Sequence, residues 1–155
     1  MATEIERKFL VARMPDLAPL RAVAIRQGYI TRPDDSCEVR LRQKDGAYLV
    51  TIKGEAGLVR EEHEAPIPKA TFDVLWQGVA GSVEKTRHIG ALENGLIFEL
   101  DVFEGPLAPL TMVEVEFDSE EAAHAFVPPE WFGQEVTAQR AYSNRVMAFR
   151  TRGVT

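Results

Sequence analysis

Two pairs of glutamates stand at alternate positions in segments whose residues alternate between charged and apolar. Glu4 and Glu6 form the first pair, and Glu114 and Glu116 form the second. On a β-strand, residues i and i+2 project to the same side, with their Cα atoms roughly 7 Å apart. Carboxylate oxygens suit Mg²⁺ or Mn²⁺, which complete their coordination with water and substrate phosphates. Each pair alone is a weak sign of a metal site, because most such pairs lie on a solvated sheet face.

Lysines and arginines occur with the same spacing in neighbouring segments. They are Lys8, Arg40, Arg42, Lys53, Arg60, Lys85 and Arg87. Arginine binds phosphate oxygens through its forked guanidinium group and lysine binds them as a point charge. The sequence contains no Walker A motif and no G-x-G-x-x-G motif, so a phosphate would be held by side chains rather than by a glycine loop. Bases beside acid pairs indicate metal-assisted phosphoryl transfer.

The elements that must position these residues are strands, because alternation with a period of two runs through about eight segments. We predict strands at 2–11, 22–31, 37–44, 47–53, 58–67, 85–92, 96–104 and 112–118. Turn sequences such as Asp45-Gly46, Asn94-Gly95 and Gly54-Glu55-Ala56-Gly57 favour hairpins and mostly antiparallel pairing. Helices are predicted at 68–77, 119–126 and 138–150.

About fifteen charged residues share one face of these strands, the seven bases above and eight acids. The acids are Glu4, Glu6, Glu62, Glu64, Glu99, Asp101, Glu114 and Glu116. Two architectures fit this pattern. One is an open sheet with helices on its apolar face and the charged face in water. The other is a closed barrel with a charged interior, since eight strands can enclose one small ligand and closure removes exposed edges.

Composition limits the function classes. The chain has 155 residues, which fit one domain over 1–155, and 18 Lys+Arg against 24 Asp+Glu give a net charge of -6. A net acidic chain argues against nucleic-acid and anionic-membrane partners. The single Cys37 excludes an internal disulfide and fits a reducing cytoplasm. Charges within the first ten residues leave no signal peptide, so we expect a cytoplasmic location.

In combination, these motifs resemble the CYTH superfamily, the triphosphate tunnel metalloenzymes. The segment Glu4-Ile5-Glu6-Arg7-Lys8 is similar to the E-x-E-x-K signature of that family. The similarity continues in order through nearly the whole chain, at Gln27-Gly28-Tyr29-Ile30, Val39-Arg40-Leu41-Arg42, Thr51-Ile52-Lys53, Arg60-Glu61-Glu62-His63-Glu64, Lys85-Thr86-Arg87, Glu99-Leu100-Asp101-Val102-Phe103, Glu114-Val115-Glu116 and Tyr142-Ser143-Asn144. The chain looks most like the short bacterial members.

The resemblance implies an α+β fold, an eight-stranded antiparallel β-barrel with a charged interior and a few helices outside. It implies that Glu4, Glu6 and Glu116 hold the metal, with Glu64 and Glu114 near them or sharing that role. It implies that the triphosphate is bound by Lys8, Arg40, Arg42, Lys53, Arg60, Lys85 and Arg87. Glu62, Glu99 and Asp101 would orient these bases or hold a second metal.

The catalytic residues that the resemblance suggests are Lys8 and Tyr29 as a pair, with Lys8 or Lys85 assisting the leaving oxygen. The expected reaction is Mg²⁺- or Mn²⁺-dependent hydrolysis of the terminal phosphate of tripolyphosphate. Three alternatives stay open at this point: a nucleotide or thiamine triphosphatase, a class IV-type adenylate cyclase, and a non-catalytic polyphosphate-binding module. A homodimer, and gating of the tunnel by the C-terminal helix that carries Arg140, also stay open.

Overall fold

Nine strands pair into one antiparallel sheet that closes on itself in this computed structural model, which describes residues 2–55 and 58–150. The strands are β1 Ala2–Val11, β2 Arg21–Tyr29, β3 Glu38–Lys44, β4 Ala47–Lys53, β5 Val59–Pro66, β6 Gly81–Ala91, β7 Ile97–Phe103, β8 Thr111–Glu116 and β9 Phe132–Glu135. The helices are α1 Lys69–Trp76, α2 Glu120–Ala125 and α3 Asn144–Arg150, with 3₁₀ turns at Gly105–Leu107 and Arg140–Tyr142.

Strand β1 closes the barrel. The strands follow the order β5-β4-β3-β2-β6-β7-β8-β1, and β5 also pairs with β1. Glu4 of β1 lies opposite Arg60 of β5, and Lys8 of β1 lies opposite Glu114 of β8. The eight-stranded antiparallel barrel is therefore confirmed and the open sheet is wrong. β9, which pairs with the far end of β1, was not predicted because its four residues show no alternation.

The apolar residues that alternate with the charges point outward and form the main core. Phe9, Leu100, Val113 and Val115 are buried there together with Phe126. Helix α2, which supplies Ala123 to this core, begins where Ser119 Oγ accepts a hydrogen bond from the backbone N–H of Ala122. In a typical half-buried sheet the polar side chains face solvent. Here the charged side chains face the interior of the barrel, and the apolar side chains pack outward against α2 and β9.

Helix α3 closes one end of the barrel. Its Met147 and Ala148 are buried against Tyr29, Phe103 and Met112, which lie on the same face of their strands as the charged residues. The predicted helix over 138–150 is corrected here, because Ser143 is extended and interrupts it. The Ser143 hydroxyl accepts a hydrogen bond from the Val146 N–H, which starts α3 anew.

The hairpin turns agree with the glycine signals where the structure describes them. Asp45 and Gly46 both have positive φ, at 53° and 77°, as a tight two-residue turn between β3 and β4 requires. In the predicted turn at 54–57, Ala56 and Gly57 lie outside the described residues.

No helix within the described ranges is long and apolar enough to span a membrane.

Candidate active site

The inward side chains surround a cavity of about 210 Å³ along the barrel axis. Of the predicted site residues, the following line it: Glu4, Glu6, Lys8, Tyr29, Arg40, Arg42, Lys53, Arg60, Glu62, Glu64, Arg87, Glu99, Glu114 and Glu116. Lys85 and Asp101 do not line it, and both are almost completely buried. Alternation thus placed the charges on the correct face, but it did not distinguish lining residues from those packed below them.

Strand register brings one group of carboxylates together. Glu6 lies opposite Glu116, and Glu114 lies opposite both Lys8 and Glu99. Burial raises the pKa of Glu6 well above its usual range, and repulsion from Glu114 and Glu4 raises it further. Burial also raises the pKa of Glu114, but Lys8 and Arg87 outweigh this effect and hold that pKa well below its usual range. These opposite shifts favour the protonated form of Glu6 and the ionised form of Glu114.

A second carboxylate pair surrounds Lys53. The Lys53 Nζ atom lies 3.0 Å from both oxygens of Glu4 and 3.7 Å from Glu62 Oε2. The hydrogen bond between the Glu62 and Glu4 side chains raises the pKa of Glu62 to about 7, and burial of Glu62 contributes to this rise. Burial raises the pKa of Glu4, but the bonds to Glu62 and Lys53 outweigh it and lower that pKa.

The donor chemistry of these carboxylates fits Mg²⁺ or Mn²⁺. The groups supply oxygen atoms only, which hard divalent cations prefer. Burial and repulsion between the carboxylates raise the pKa of Glu6, and a bound cation would relieve this repulsion. Within residues 2–55 and 58–150, no three His, Cys, Asp or Glu side chains are already gathered as an ion site. Glu64 lies at the exposed rim, where its carboxylate accepts a hydrogen bond from Thr51 Oγ1 at 2.8 Å.

Below the cavity, one buried carboxylate holds two cations. Asp101 accepts hydrogen bonds from Arg87 Nε at 2.8 Å and Arg87 Nη2 at 2.9 Å, and its Oδ2 lies 2.7 Å from Lys85 Nζ. Lys85 also donates to Asn144 Oδ1 of helix α3 at 3.1 Å. Burial lowers the pKa of Lys85 to about 7, against the opposing attraction of Asp101. Glu99 contacts Arg87 from above, at 3.3 Å, so both acids orient this arginine.

Strand β3 contributes two arginines with few counterions among the described contacts, and strand β2 contributes their polar neighbours. Gln27 donates to Tyr29 Oη at 2.7 Å and accepts from Arg42 Nη2 at 3.0 Å. Burial, followed by repulsion from Arg40 and Arg87, lowers the pKa of Arg42 to about 9. The Arg40 Nε atom is buried and makes no hydrogen bond with any residue that the structure describes. An anion with several oxygens would satisfy both features.

The predicted pair of Lys8 and Tyr29 is not joined by a hydrogen bond among the described residues. Lys8 Nζ lies 3.7 Å from Glu114, and burial raises the pKa of Tyr29 above its ordinary value. Both side chains nevertheless line the same cavity, where Tyr29 keeps its proton.

Some lining residues were missed from the sequence. Glu38 and Lys44 end the β3 run in which Arg40 and Arg42 were identified, so the same period-two signal would have found them. Ser143 and Asn144 reach the cavity from the start of α3. Their position depends on how the chain end folds back into the barrel, which strand periodicity does not report.

Comparison with known proteins gives consistent matches. A family model described as the CYTH domain matches residues 2–142. The chain is similar to an inorganic triphosphatase of Nitrosomonas europaea, with 56% identity over 147 residues, 94% of this chain and 97% of that protein. It is 33% identical to an inorganic triphosphatase of Acetivibrio thermocellus over 93% of this chain and 92% of that one. A crystal structure of an inorganic triphosphatase superposes with a TM-score of 0.72 at 53% identity, covering 96% of both chains.

Proposed function

Because the chain belongs to the CYTH-domain family, we propose that it is an inorganic triphosphatase that hydrolyses the terminal phosphate of tripolyphosphate. The observation that carries this proposal is the cavity of about 210 Å³, in which arginines with few described counterions and a group of glutamates line the same walls. The names of the two similar proteins support the same activity.

The lining of the cavity favours a compact inorganic substrate. Tyr29 is the one aromatic side chain among the described lining residues, and it is fully buried. A nucleoside or thiamine group would need an apolar or aromatic surface on which to stack. A triphosphate without an organic group matches the charged walls, so we place nucleotide hydrolysis, thiamine triphosphate hydrolysis and cyclisation second.

In the proposed mechanism, Arg40, Arg42, Lys53 and Arg87 bind the phosphate oxygens and compensate their negative charge. Glu4, Glu6, Glu114 and Glu116 would hold Mg²⁺ or Mn²⁺, with Glu64 and Glu62 nearby. When bound, that cation supplies further charge neutralisation on the phosphate.

The chain's own groups also handle the protons. A water held by a carboxylate attacks the terminal phosphorus in line and gives its proton to the carboxylate, while the bond to the bridging oxygen breaks. Lys8, which lines the cavity, donates a proton to the leaving diphosphate, and Tyr29 donates a hydrogen bond. Lys85 lies below the floor of the cavity, where its positive charge compensates the negative charge of Asp101. Arg60 binds at the edge of the cavity.

The remaining predictions rest on the amino-acid sequence alone. A cytoplasmic location rests on the single Cys37. The absence of nucleic-acid and membrane partners rests on the net charge of -6. A homodimer and one domain over 1–155 also stay predictions, and a solution molar mass would test the first.

One assay tests the proposed activity. Phosphate release is measured from tripolyphosphate, ATP and thiamine triphosphate with Mg²⁺, with Mn²⁺ or with EDTA. We expect metal-dependent release that is fastest from tripolyphosphate. Lack of turnover on all three substrates would reject the hydrolase, and cyclic AMP formed from ATP would support the cyclase instead.

A matched pair of variants tests the acidic end of the cavity. Glu116→Gln should abolish turnover with the fold intact, because a proposed metal ligand loses its charge. Glu61→Gln, on the exposed outer face of β5, is the control and should keep full activity. Thermal unfolding with Mg²⁺ and with EDTA adds a readout other than turnover, since Glu116→Gln should lose the cation-dependent rise in Tm. Wild-type activity in Glu116→Gln would refute the metal assignment.

A further inference from the structure

A second cavity, of about 370 Å³, adjoins the central one at the wall beside β1. Strand β1 pairs with β5 as far as Ile5 and with β9 from Phe9 onward, so its neighbour on this side changes between them. Lys8 and Arg60 line both cavities. This side cavity therefore lies directly next to the site described above.

Two arginines in the side cavity share one carboxylate. Arg60 Nη2 lies 3.4 Å from Glu38 Oε1, and Arg145 Nε lies 3.9 Å from the same oxygen. Arg145 is 8% exposed, and it otherwise donates only to the backbone oxygen of Cys37, at 3.2 Å, among the contacts described. Arg60 also donates to the backbone oxygen of Gly54, at 3.1 Å. Among the described contacts, one carboxylate thus serves two arginine side chains.

The Nε atoms of both arginines are buried and make no hydrogen bond with any described residue. A buried donor without an acceptor is costly, so two of them at one place indicate a missing acceptor. The other acids that line the side cavity are Glu6, Asp34, Asp35 and Glu55, and none of them bonds to either arginine among the described contacts. Asp34 pairs with Arg140, and Asp35 accepts from the backbone N–H of Arg32 at 2.7 Å. Glu55 is exposed at the rim.

The missing acceptor has a definite chemistry. We expect it to carry negative charge, because the two guanidinium groups share a single carboxylate, that of Glu38, among the described contacts. We also expect it to present several oxygens, because one guanidinium group approaches from strand β5 and the other from helix α3. A tetrahedral phosphate meets both requirements.

We propose that Arg60 and Arg145 form a subsite for orthophosphate, through which the phosphate released in the central cavity leaves by the side cavity. This inference rests on the proposed triphosphatase activity for the source of the phosphate. Arg60 borders both cavities, whereas Arg145 lines only the side cavity. An ion that moves outward can therefore remain bound to Arg60 while it gains Arg145.

Inhibition by orthophosphate tests the subsite in the wild-type protein. If phosphate binds outside the central cavity, it lowers kcat even at saturating tripolyphosphate. If it binds only in the central cavity, saturating tripolyphosphate abolishes the inhibition, and that result would overturn the proposal. Isothermal titration calorimetry with orthophosphate measures binding directly, so the subsite can be tested even if no hydrolysis is found and the proposed function fails.

Variants of Arg145 identify the residue responsible. Arg145→Gln should weaken inhibition by orthophosphate about tenfold, the effect of one lost charged hydrogen bond, with KM for tripolyphosphate within about twofold. Arg145→Lys, which keeps the charge, should restore part of the phosphate affinity. Arg150→Gln is the control, because this exposed arginine lies on the same helix and bonds only to the Ala141 oxygen among the described contacts.

The opposite pattern rejects the subsite. A large rise in KM with unchanged phosphate inhibition in Arg145→Gln would mean that Arg145 holds the end of the substrate itself. Equal phosphate affinity in Arg145→Gln and wild type, in samples with matching Tm, would also overturn the proposal.

Discussion

Lys85 Nζ lies 2.7 Å from Asp101 Oδ2, and the two residues are 0% and 1% exposed. The same carboxylate receives a two-point contact from Arg87. Asp101 is thus the buried anion that keeps two cations in place below the cavity, and one of them, Arg87, points into it. This relationship links the stability of the barrel to the position of a substrate-binding arginine.

Asp101→Asn is expected to lower the free energy of unfolding by about 3 kcal/mol, because Lys85 loses its described counterion and Arg87 loses its two-point contact. Urea denaturation measures the change. Glu99→Gln is the matched control, since its partly exposed carboxylate contacts the same arginine, and it should cost less than about 1 kcal/mol. Equal decreases in the free energy of unfolding in the two variants would show that the burial of Asp101 does not increase its contribution to stability.

Lys85 should produce a pH dependence near neutrality. Its pKa of about 7 means that it is protonated below this pH and loses its charge as the pH rises. The loss of this positive charge beneath the cavity removes an attraction to a polyanion and weakens its binding. We therefore expect kcat/KM for tripolyphosphate to fall between pH 6 and 9.

Lys85→Arg separates this effect from titration of the substrate. Arginine stays charged over the whole range, so the component due to residue 85 should disappear from the kcat/KM profile while that of tripolyphosphate remains. Identical profiles for the variant and the wild type would assign the pH dependence elsewhere.

The period-two pattern predicted which face of each strand is charged, because side chains alternate across a sheet whatever encloses it. It did not predict which end of the barrel is closed. Phe103 follows the same register as Asp101, and Val83 the same register as Lys85, but these apolar residues meet Met147 of α3. That contact joins residues distant in sequence, and the local pattern carries no information about it.

The site shows the same limit. Spacing placed Lys85 among the lining residues although it lies below them, since periodicity gives a side but not a depth. Arg145 was not selected, because a single arginine in a helical segment has no pattern to mark it. Its position beside Glu38 follows from the break at Ser143, which turns α3 across the end of the barrel.

Tyr29→Phe is expected to lower kcat about tenfold without a shift in the pH profile. Burial raises the pKa of Tyr29 above its ordinary value, so the hydroxyl acts as a hydrogen-bond donor and does not ionise in the working range. One lost hydrogen bond to a charged group accounts for a change of this size. A loss beyond a hundredfold would instead indicate general acid catalysis by Tyr29.

Arg40→Ala should change binding and stability in opposite directions. The variant removes a cation whose Nε makes no hydrogen bond within the described part of the chain and which repels the neighbouring Arg42. We expect KM for tripolyphosphate to rise at least about tenfold, from the loss of charged hydrogen bonds. The free energy of unfolding without ligand should stay equal or increase, because less repulsion remains in the cavity.

The control for Arg40→Ala is Arg21→Ala. Arg21 is exposed and pairs with Asp45 at 2.6 Å, outside the barrel, so its removal should leave KM unchanged and cost less than about 1 kcal/mol. Steady-state kinetics and urea denaturation on the three proteins give both quantities. An unchanged KM in Arg40→Ala would count against binding of the substrate in the barrel. A decrease in the free energy of unfolding larger than that of Arg21→Ala would mean that the packing of Arg40 stabilises the barrel more than its repulsion from Arg42 destabilises it.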